Sequence, residues 1–300
     1  MPTARTFTDS MGRTVTLTRG PQRIVSLVPS VTEVLFAFGC GDQVVGITDY
    51  CTEPATEVIH KLRIGGTKNP DVSAILALQP QLVLAVAEEN RRHDVEQLEA
   101  ADIPVYVFEP TTVRTGIDLL WRVAELLDCR GAVGPSVEAI EAVYADIRAQ
   151  VAGGAPVRVF CPIWKDPYMT IGEGTYVNDM LRVCGGENIF AERRRRFPLA
   201  ADLGQAPERT GDRDAERDRR YPRVTLEEMA DLQPEVILLP DEPYVFSEAD
   251  LDDFRPLDEV PAVRHGRIHL IDGKIVSWYG PRIGESLRLL RELLSPSRPS

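Results

Sequence analysis

The sequence predicts an α/β protein of two similar lobes, each with a mainly parallel sheet, joined by a long rigid connecting helix. Residues 31–42 are echoed at 177–187, and a Leu-Gln-Pro motif follows each copy, at 78–80 and at 232–234. Strand patterns alternate with helix patterns in both halves, which is typical of parallel strands joined by crossover helices. Because 300 residues exceed the usual size of a single core, the repeat indicates two lobes.

The first lobe is predicted at residues 1–112 from its apolar patterning. Polar and apolar residues alternate over 6–17 around a turn sequence, which predicts a hairpin. Apolar runs and helical spacing predict the rest. These elements are strands at 23–28, 44–48, 82–86 and 105–108, and helices at 71–78 and 93–101.

One further helix of this lobe begins at Pro29-Ser30 and ends at Gly39. Ser30 and Glu33 have the spacing of a capping box, in which the serine hydroxyl and the glutamate carboxylate satisfy each other's backbone N–H groups. We therefore expect Ser30 to be the N-cap.

A helical connector is predicted at residues 113–155. Apolar spacing indicates helices at 113–128 and 135–152, with Pro135 in a first turn, where proline is tolerated. The second helix, at 1.5 Å per residue, would be roughly 27 Å long. Such a connector resists wide hinge closure.

The second lobe is predicted at residues 156–300, with strands at 157–161, 236–239 and 268–271 and a last helix at 283–294. It carries a charged insertion near 192–220 that the first copy lacks, including four consecutive arginines. We expect this insertion to be a solvated, mobile loop. The alternative is that its arginines contact a partner or the edge of an anionic ligand.

The charge and the cysteines limit the classes of function. With 34 Lys and Arg against 46 Asp and Glu, the net charge of −12 argues against nucleic-acid or membrane-surface binding. No apolar stretch is long enough for a membrane helix. The five cysteines are odd in number and widely spaced, so we expect buried thiols rather than a disulfide framework or a zinc site. The amino terminus has no signal-peptide pattern, which predicts a cytoplasmic protein, or a periplasmic or cell-surface one if an export signal is missing.

Aromatic side chains dominate the loops that follow the predicted strands. Ligands of open α/β sheets bind at the carboxyl ends of the strands, so these rings are candidate ligand contacts. We predict stacking surfaces at Tyr50, Trp164, Tyr168, Tyr244, Trp278 and Tyr279, with Arg282 as a polar anchor.

Catalytic signatures are absent from the sequence, including nucleophile elbows, phosphate-binding loops and zinc-protease motifs. The four histidines are too few and too scattered for a metal site. Five acids after strands could exchange protons, although solvated loop residues are the more ordinary interpretation; they are Glu88, Glu89, Glu109, Asp241 and Glu242. We therefore predict a protein that is not an enzyme.

Four motifs together resemble the helical-backbone (class III) substrate-binding proteins of ABC importers for cobalamin, haem and iron-siderophores. They span residues 23–33, 78–83, 184–190 and 221–228. The resemblance implies two α/β lobes bridged by a rigid helix, with the ligand between them and little closure on binding. Cobalamin binders are the most similar subgroup.

The resemblance also implies roles for particular residues. Tyr50 matches an aromatic that follows the second strand in cobalamin binders, and Tyr168 falls near another ring position. Importers of this family dock on one acid of each lobe. Glu227 matches the second-lobe acid, and Asp71 lies near the first-lobe position, which is Ser73.

These observations predict a monomeric binding protein that captures a metal chelate in the cleft between its lobes for an ABC-type permease. The ligand would be a corrinoid such as cobalamin, haem or a ferric siderophore, and no covalent cofactor is expected. The alternative is a cytosolic enzyme or chaperone of corrinoid or tetrapyrrole metabolism, with Glu88, Glu109 or Asp241 as proton-transfer groups.

Overall fold

The computed structural model describes residues 4–18, 20–209 and 217–295. The chain forms two compact units. The first unit contains Met1–Pro110, Arg114–Glu141 and Tyr279–Ile283. The second unit contains Thr111–Val113, Ala142–Trp278 and Gly284–Ser300. No helix in the described ranges is both long and apolar enough to cross a membrane.

The first unit is built on a parallel four-stranded sheet of order β4-β3-β5-β6. The predicted hairpin, β1-β2, is a separate antiparallel pair that precedes this sheet in the chain. Its strands are β1 (Arg5–Thr8), β2 (Thr14–Leu17), β3 (Ile24–Ser26), β4 (Val44–Ile47), β5 (Leu82–Val86) and β6 (Val105–Phe108). The helices up to the boundary with the second unit are α1 (Pro29–Ala37), α2 (Ala55–Val58), α3 (Val72–Ala77), α4 (Arg92–Ala100), α5 (Val113–Leu126) and α6 (Arg130–Val151). Every residue of β5 and β6 is buried, as expected for parallel strands covered on both faces.

The second unit has a parallel sheet of order β10-β7-β11-β12 and a short antiparallel pair, β8-β9. Its strands are β7 (Val157–Phe160), β8 (Pro162–Trp164), β9 (Met169–Thr170), β10 (Gly186–Asn188), β11 (Val236–Pro240) and β12 (Ile268–Ile271). The remaining helices are α7 (Tyr176–Val183), α8 (Leu199–Asp202), α9 (Leu226–Asp231), α10 (Pro261–Arg264), α11 (Lys274–Ser277) and α12 (Ile283–Leu293). The pair β8-β9 and strand β10 are too short to give a sequence pattern.

The two sheets share one topology. With the parallel strands of each unit numbered in chain order, both sheets have the order 2-1-3-4. The repeated Leu-Gln-Pro motif also has the same backbone in both copies, since Gln79 and Gln233 have positive φ angles of 46° and 50°. Each lies just after a helix, α3 or α9. This agreement supports the duplication inferred from the sequence.

The predicted capping box at Ser30 and Glu33 is wrong. Helix α1 begins at Pro29, its N-cap is Val28, and no side chain caps it. Proline has no N–H and a helical φ, so it occupies the first helical position and places Ser30 inside the helix. The Glu33 carboxylate instead accepts a hydrogen bond from Nε of Arg282 at 2.9 Å.

Pro135 lies inside helix α6 and not in its first turn, because the helix begins earlier than predicted, at Arg130. Proline cannot donate the usual backbone hydrogen bond at this position. Packing against Trp121 of α5 supports the segment: the guanidinium of Arg130 lies 4.3 Å from the Trp121 ring centroid, and the indole N–H donates to Glu141 at 3.2 Å. The boundary between the two units falls within α6, after Glu141.

The charged insertion is partly packed. The expectation of a solvated loop is wrong at Phe197, Ala201 and Asp202, which are buried, whereas residues 204–209 are exposed as expected. Phe197 is buried beneath the Arg195 guanidinium, which lies 4.9 Å from the ring centroid. The buried Asp202 carboxylate accepts the backbone N–H of Arg196 at 2.8 Å. A buried ring and a buried carboxylate thus organise the segment. Residues 210–216 of the insertion lie outside the described residues.

Candidate ligand-binding surfaces

Tyr50 lies on the surface of the first unit, in the loop that follows β4, and it is 63% exposed. The loop is fixed from both sides. Asp49 donates its N–H to the Gly65 carbonyl at 2.9 Å, and the Cys51 N–H donates to Thr48 at 3.2 Å. A Cβ atom at Gly66 would lie 3.2 Å from the Tyr50 ring, so glycine there leaves room for the ring. The structure therefore presents an aromatic ring on an ordered loop.

Arg63 anchors this loop from beneath, a role that the sequence did not reveal. One guanidinium nitrogen donates to the carbonyl oxygens of Thr48 at 2.7 Å and Cys51 at 2.8 Å. The Cys51 thiol is buried against the hydroxyl of Thr32 at 3.1 Å, and burial raises its pKa. Arg63 thus acts through the backbone on either side of Tyr50.

A second loop of the first unit follows β5, and Asn90 organises it. The buried Asn90 amide accepts the Val86 N–H at 2.9 Å and donates to the carbonyl oxygens of Leu27 at 3.2 Å and Thr67 at 2.9 Å. It therefore ties the loop after β3 to the loop after β5. These two adjacent strands flank the point where the strand order reverses, which is the usual ligand position in such sheets.

Of the acids predicted in that loop, Glu89 has a perturbed pKa. Burial raises it, and the Lys68 ammonium opposes the shift. Lys68 also donates to the backbone carbonyl of Glu88. The structure thus adds a cation beside these acids that the sequence analysis did not single out.

In the second unit, aromatic rings form a continuous series from the surface into the core. Trp164, which is 44% exposed, meets the half-buried Tyr244 edge to face, with centroids 5.9 Å apart. Tyr244 in turn packs on the buried Phe246 at 4.7 Å. Tyr168 is buried and stacks on Phe246 at 6.3 Å. The structure therefore brings three of the predicted rings together, and it leaves Trp164 and part of Tyr244 accessible.

Lys165 links this ring series to two carboxylates. Its ammonium lies 2.8 Å from Asp250 and 2.7 Å from Asp253. The hydroxyl groups of the two tyrosines donate to the same carboxylates, Tyr168 to Asp253 at 2.7 Å and Tyr244 to Asp250 at 3.4 Å. The network fixes both tyrosine rings at their polar ends. We name these five residues the lysine network.

The charges of the lysine network reinforce one another. Hydrogen bonds from Lys165 and Tyr168 hold the pKa of Asp253 below its usual value. Burial alone would raise the pKa of Asp250, but hydrogen bonds from Lys165 and Ser247 outweigh it and lower that pKa. The two carboxylates raise the pKa of Lys165. At neutral pH all three groups are therefore charged.

The other predicted contacts occupy more enclosed positions. Trp278 is buried, with the Lys274 ammonium 5.8 Å from its ring centroid. Tyr279 is also buried, and it groups with the first unit, whereas Trp278 groups with the second. The Arg282 guanidinium is paired with Glu33. Trp278 and Tyr279 are only 8% and 7% exposed, so they offer little open surface to a ligand.

The two acids predicted for permease docking lie at the starts of corresponding helices. Glu227 is exposed in the first turn of α9, next to a capping box formed by Thr225 and Glu228. Asp71 is exposed and caps α3, accepting the Ala74 N–H at 2.9 Å. Helices α3 and α9 each precede a Leu-Gln-Pro motif. The two acids therefore occupy related places in the two copies.

The accessible rings Tyr50, Trp164 and Tyr244 suit a ligand with a flat or bulky apolar body, because aromatic faces contribute large contact areas at low entropic cost. Across residues 4–18, 20–209 and 217–295, no three His, Cys, Asp or Glu side chains are grouped to hold a bare metal ion.

One protein family and several curated proteins match this sequence. Residues 24–274 match the periplasmic binding protein family. The chain is 31% identical over 178 residues to the vitamin B12-binding protein of Yersinia pestis (strain Pestoides F), across 59% of this chain and 63% of that protein. The corresponding protein of Yersinia pseudotuberculosis serotype O:1b (strain IP 31758) gives the same figures. The chain thus spans about 63% of the length of these curated relatives.

Solved structures share the fold over most of the chain. The periplasmic heme-binding protein RhuT from Roseiflexus sp. RS-1 is 25% identical, with a TM-score of 0.73 over 92% of this chain and 98% of that one. The periplasmic vitamin B12 binding protein of Vibrio cholerae gives 0.73 at 22% identity, over 92% and 97%, which shows the fold alone. The predicted fold class and the resemblance to helical-backbone binding proteins are confirmed. The chain belongs to the periplasmic binding protein family.

Proposed function

We propose that this protein captures a metal chelate, with corrinoids and haem as the first candidates, and delivers it to an ABC importer. The observation that carries the proposal is the set of accessible rings after parallel strands, Tyr50 in one unit and Trp164 with Tyr244 in the other. Relatives named for binding vitamin B12 or heme support the ligand class. Family membership favours this role over an enzyme or chaperone, and it favours a periplasmic over a cytoplasmic location.

Loss of one accessible ring is expected to weaken ligand binding. In Tyr50→Ala or Trp164→Ala, the dissociation constant for the preferred chelate should rise at least tenfold, since a lost ring contact of about 1.4 kcal/mol or more corresponds to that factor. Titration with cobalamin, haem and a ferric siderophore, followed by intrinsic fluorescence or by the absorbance of the chelate, measures it.

Ile59→Ala is the matched control for Tyr50, because Ile59 is an exposed apolar residue of the same unit that does not follow a strand. It should bind like the wild type. Absence of binding to all three chelates would count against the proposed ligand class. Equal losses in the control and the ring variants would show that the rings are not the contact surface.

Substitution of the two docking acids should affect uptake into cells and not chelate binding. We propose that Glu227 and Asp71 contact the permease, so Glu227→Gln with Asp71→Asn should leave chelate affinity unchanged and reduce uptake in cells at least several-fold. Asparagine is itself a good N-cap, which keeps helix α3 intact. Uptake of a labelled chelate by a strain that depends on this protein measures the effect. Glu96→Gln is the control, because Glu96 is an exposed acid on α4 of the first unit and has no proposed role in docking. Normal uptake with both acids neutralised would rule out their role.

A further inference from the structure

Three arginine side chains of the charged insertion converge on one buried ring. The guanidinium carbons of Arg195, Arg217 and Arg219 lie 4.9, 4.8 and 5.7 Å from the ring centroid of Phe197. Each distance is within the roughly 6 Å at which a cation is attracted to an aromatic face. The ring is only 7% exposed, so three positive charges are held around a buried apolar group. We name these three arginines the arginine cluster.

Backbone contacts hold the two segments of the cluster together. The Arg195 N–H donates to the Arg219 carbonyl at 2.8 Å, and the Arg219 guanidinium donates to the Arg195 carbonyl at 3.5 Å. Next to these segments, Arg196 and Arg223 donate their backbone N–H groups to the two carboxylate oxygens of Asp202, both at 2.8 Å. Asp202 is 0% exposed, so the arginines are positioned by a packed scaffold.

Arg195 has no anionic partner among the residues that the structure describes. Its guanidinium forms no ion pair there, and its buried Nε atom lacks a hydrogen-bond acceptor. Two acids of the same region are engaged elsewhere, because Asp202 accepts backbone N–H groups and Glu208 pairs with Arg219 at 2.6 Å. Buried guanidinium groups are normally paired, so this arrangement favours a role in binding an anion.

The positive charge of Arg195 is not neutralised by its surroundings. Burial lowers the pKa of Arg195, and the positive charge of Arg223 lowers it further. Asp202 and Asp218 oppose the shift without cancelling it. The Nη1 atom of Arg223 is likewise buried and has no acceptor in the described part of the chain. An added negative charge at this position would therefore stabilise the folded protein.

We propose that the arginine cluster is a binding site for an oxyanion, a phosphate or a carboxylate group, with Arg195 as its principal contact. A guanidinium presents N–H donors in a planar fork that matches two oxygens of either group. Arg195 is half-buried, so part of its side chain is open to solvent while the Phe197 ring supports it from one side. Arg217 and Arg219 add positive charge around the same ring.

The test is a calorimetric titration of the full chain with inorganic phosphate, in a chloride buffer of constant ionic strength. We expect saturable binding and a rise in Tm that follows the occupancy of the site, because a ligand of the folded state stabilises that state. Arg195→Gln should weaken phosphate binding by at least about tenfold, since charge-assisted hydrogen bonds are lost, and it should remove the rise in Tm. Absence of saturable binding up to millimolar phosphate would overturn the proposal.

Arg194→Gln is the matched control. It removes the same charge from the same run of arginines, but the Arg194 side chain is 75% exposed and lies 3.8 Å from Glu173, so this variant should keep the wild-type affinity. Equal losses in Arg194→Gln and Arg195→Gln would show that phosphate responds only to the overall charge. Arg217→Gln, at an exposed residue, replaces Arg195→Gln if that variant does not fold, and unchanged affinity in it would then reject the site.

A second titration identifies the source of the oxyanion. Phosphate is added to protein that is already saturated with its preferred chelate, and this step alone rests on the proposed function. Displacement of phosphate would mean that an acidic group of the chelate occupies the arginine cluster, whereas simultaneous binding would mean that the site takes a free anion. Both results support an oxyanion site. A protein that binds phosphate and no chelate would contradict the proposed function and leave this site standing.

Discussion

Replacing Phe254 with alanine is expected to lower the free energy of unfolding by about 3–5 kcal/mol. Phe254 is 0% exposed and meets the buried Tyr168 ring edge to face, with centroids 6.1 Å apart. Truncation removes the transfer free energy of a whole ring and leaves a cavity beneath the ring series of the second unit. Urea denaturation measures the loss.

Two further variants test whether the loss of stability comes from the cavity or from any substitution in this region. Phe254→Leu refills most of the space and should cost less than half as much. Val245→Ala, at an exposed residue beside Tyr244, should change stability by no more than about 0.5 kcal/mol. A loss below about 1 kcal/mol in Phe254→Ala would contradict the buried position of this ring.

Lys165→Met is expected to destabilise the protein by about 2–4 kcal/mol at pH 7, because it removes the only cation that contacts both carboxylates of the lysine network within the described ranges. The Asp250 side chain is 7% exposed, so water cannot replace the lost ammonium. The methionine keeps the volume of the lysine stem. The variant should also bind chelate less tightly, because the carboxylates that accept hydrogen bonds from Tyr168 and Tyr244 lose the cation that holds them in place.

The same variant should alter the response to acid. The pKa values of Asp250 and Asp253 are lowered in the folded state, so their contribution to stability is present above the ordinary aspartate pKa of about 4 and is lost as the pH falls through the lowered folded values. Lys165→Met should therefore lose less stability than the wild type on acidification below about pH 4.

The control for Lys165 is Arg255→Met, which removes a neighbouring ion pair with Asp252 in which both side chains are largely exposed. Exposed pairs contribute at most about 1 kcal/mol, so this variant should keep the wild-type acid profile. Parallel acid profiles for the wild type and Lys165→Met would show that the lysine network does not set the pH dependence.

Strands with unbroken apolar runs could be predicted from the sequence to the residue. Strands β5, β6 and β12 have the predicted ends. In β5 and β6 the reason is that every residue is apolar and buried, as in parallel strands covered on both faces. The N-terminal ends of helices were harder to predict from the sequence, as α1 and α6 show. At α1, the proline occupies the first helical position, so the N-cap is Val28 and not Ser30.

The candidate site was predictable only in its aromatic residues. Tyr50 and Tyr244 could be found because they lie in loops after strands, and Trp164 because it lies shortly after β7, although the structure places it in the short strand β8. Lys165 and Asp250 are 85 residues apart, and no local pattern joins them. Arg63 acts on backbone carbonyls, which carry no sequence signal.

The left-handed glutamines bear on the ancestry of the fold. For an ordinary L-residue this backbone region costs roughly 1–2 kcal/mol, and glycine would occupy it more easily. Gln79 and Gln233 nonetheless share it, each between a helix end and a proline. Independent origins would have to reach the same unfavourable solution twice. The shared geometry is what we expect if both units descend from one ancestral lobe whose helix already ended with a left-handed glutamine.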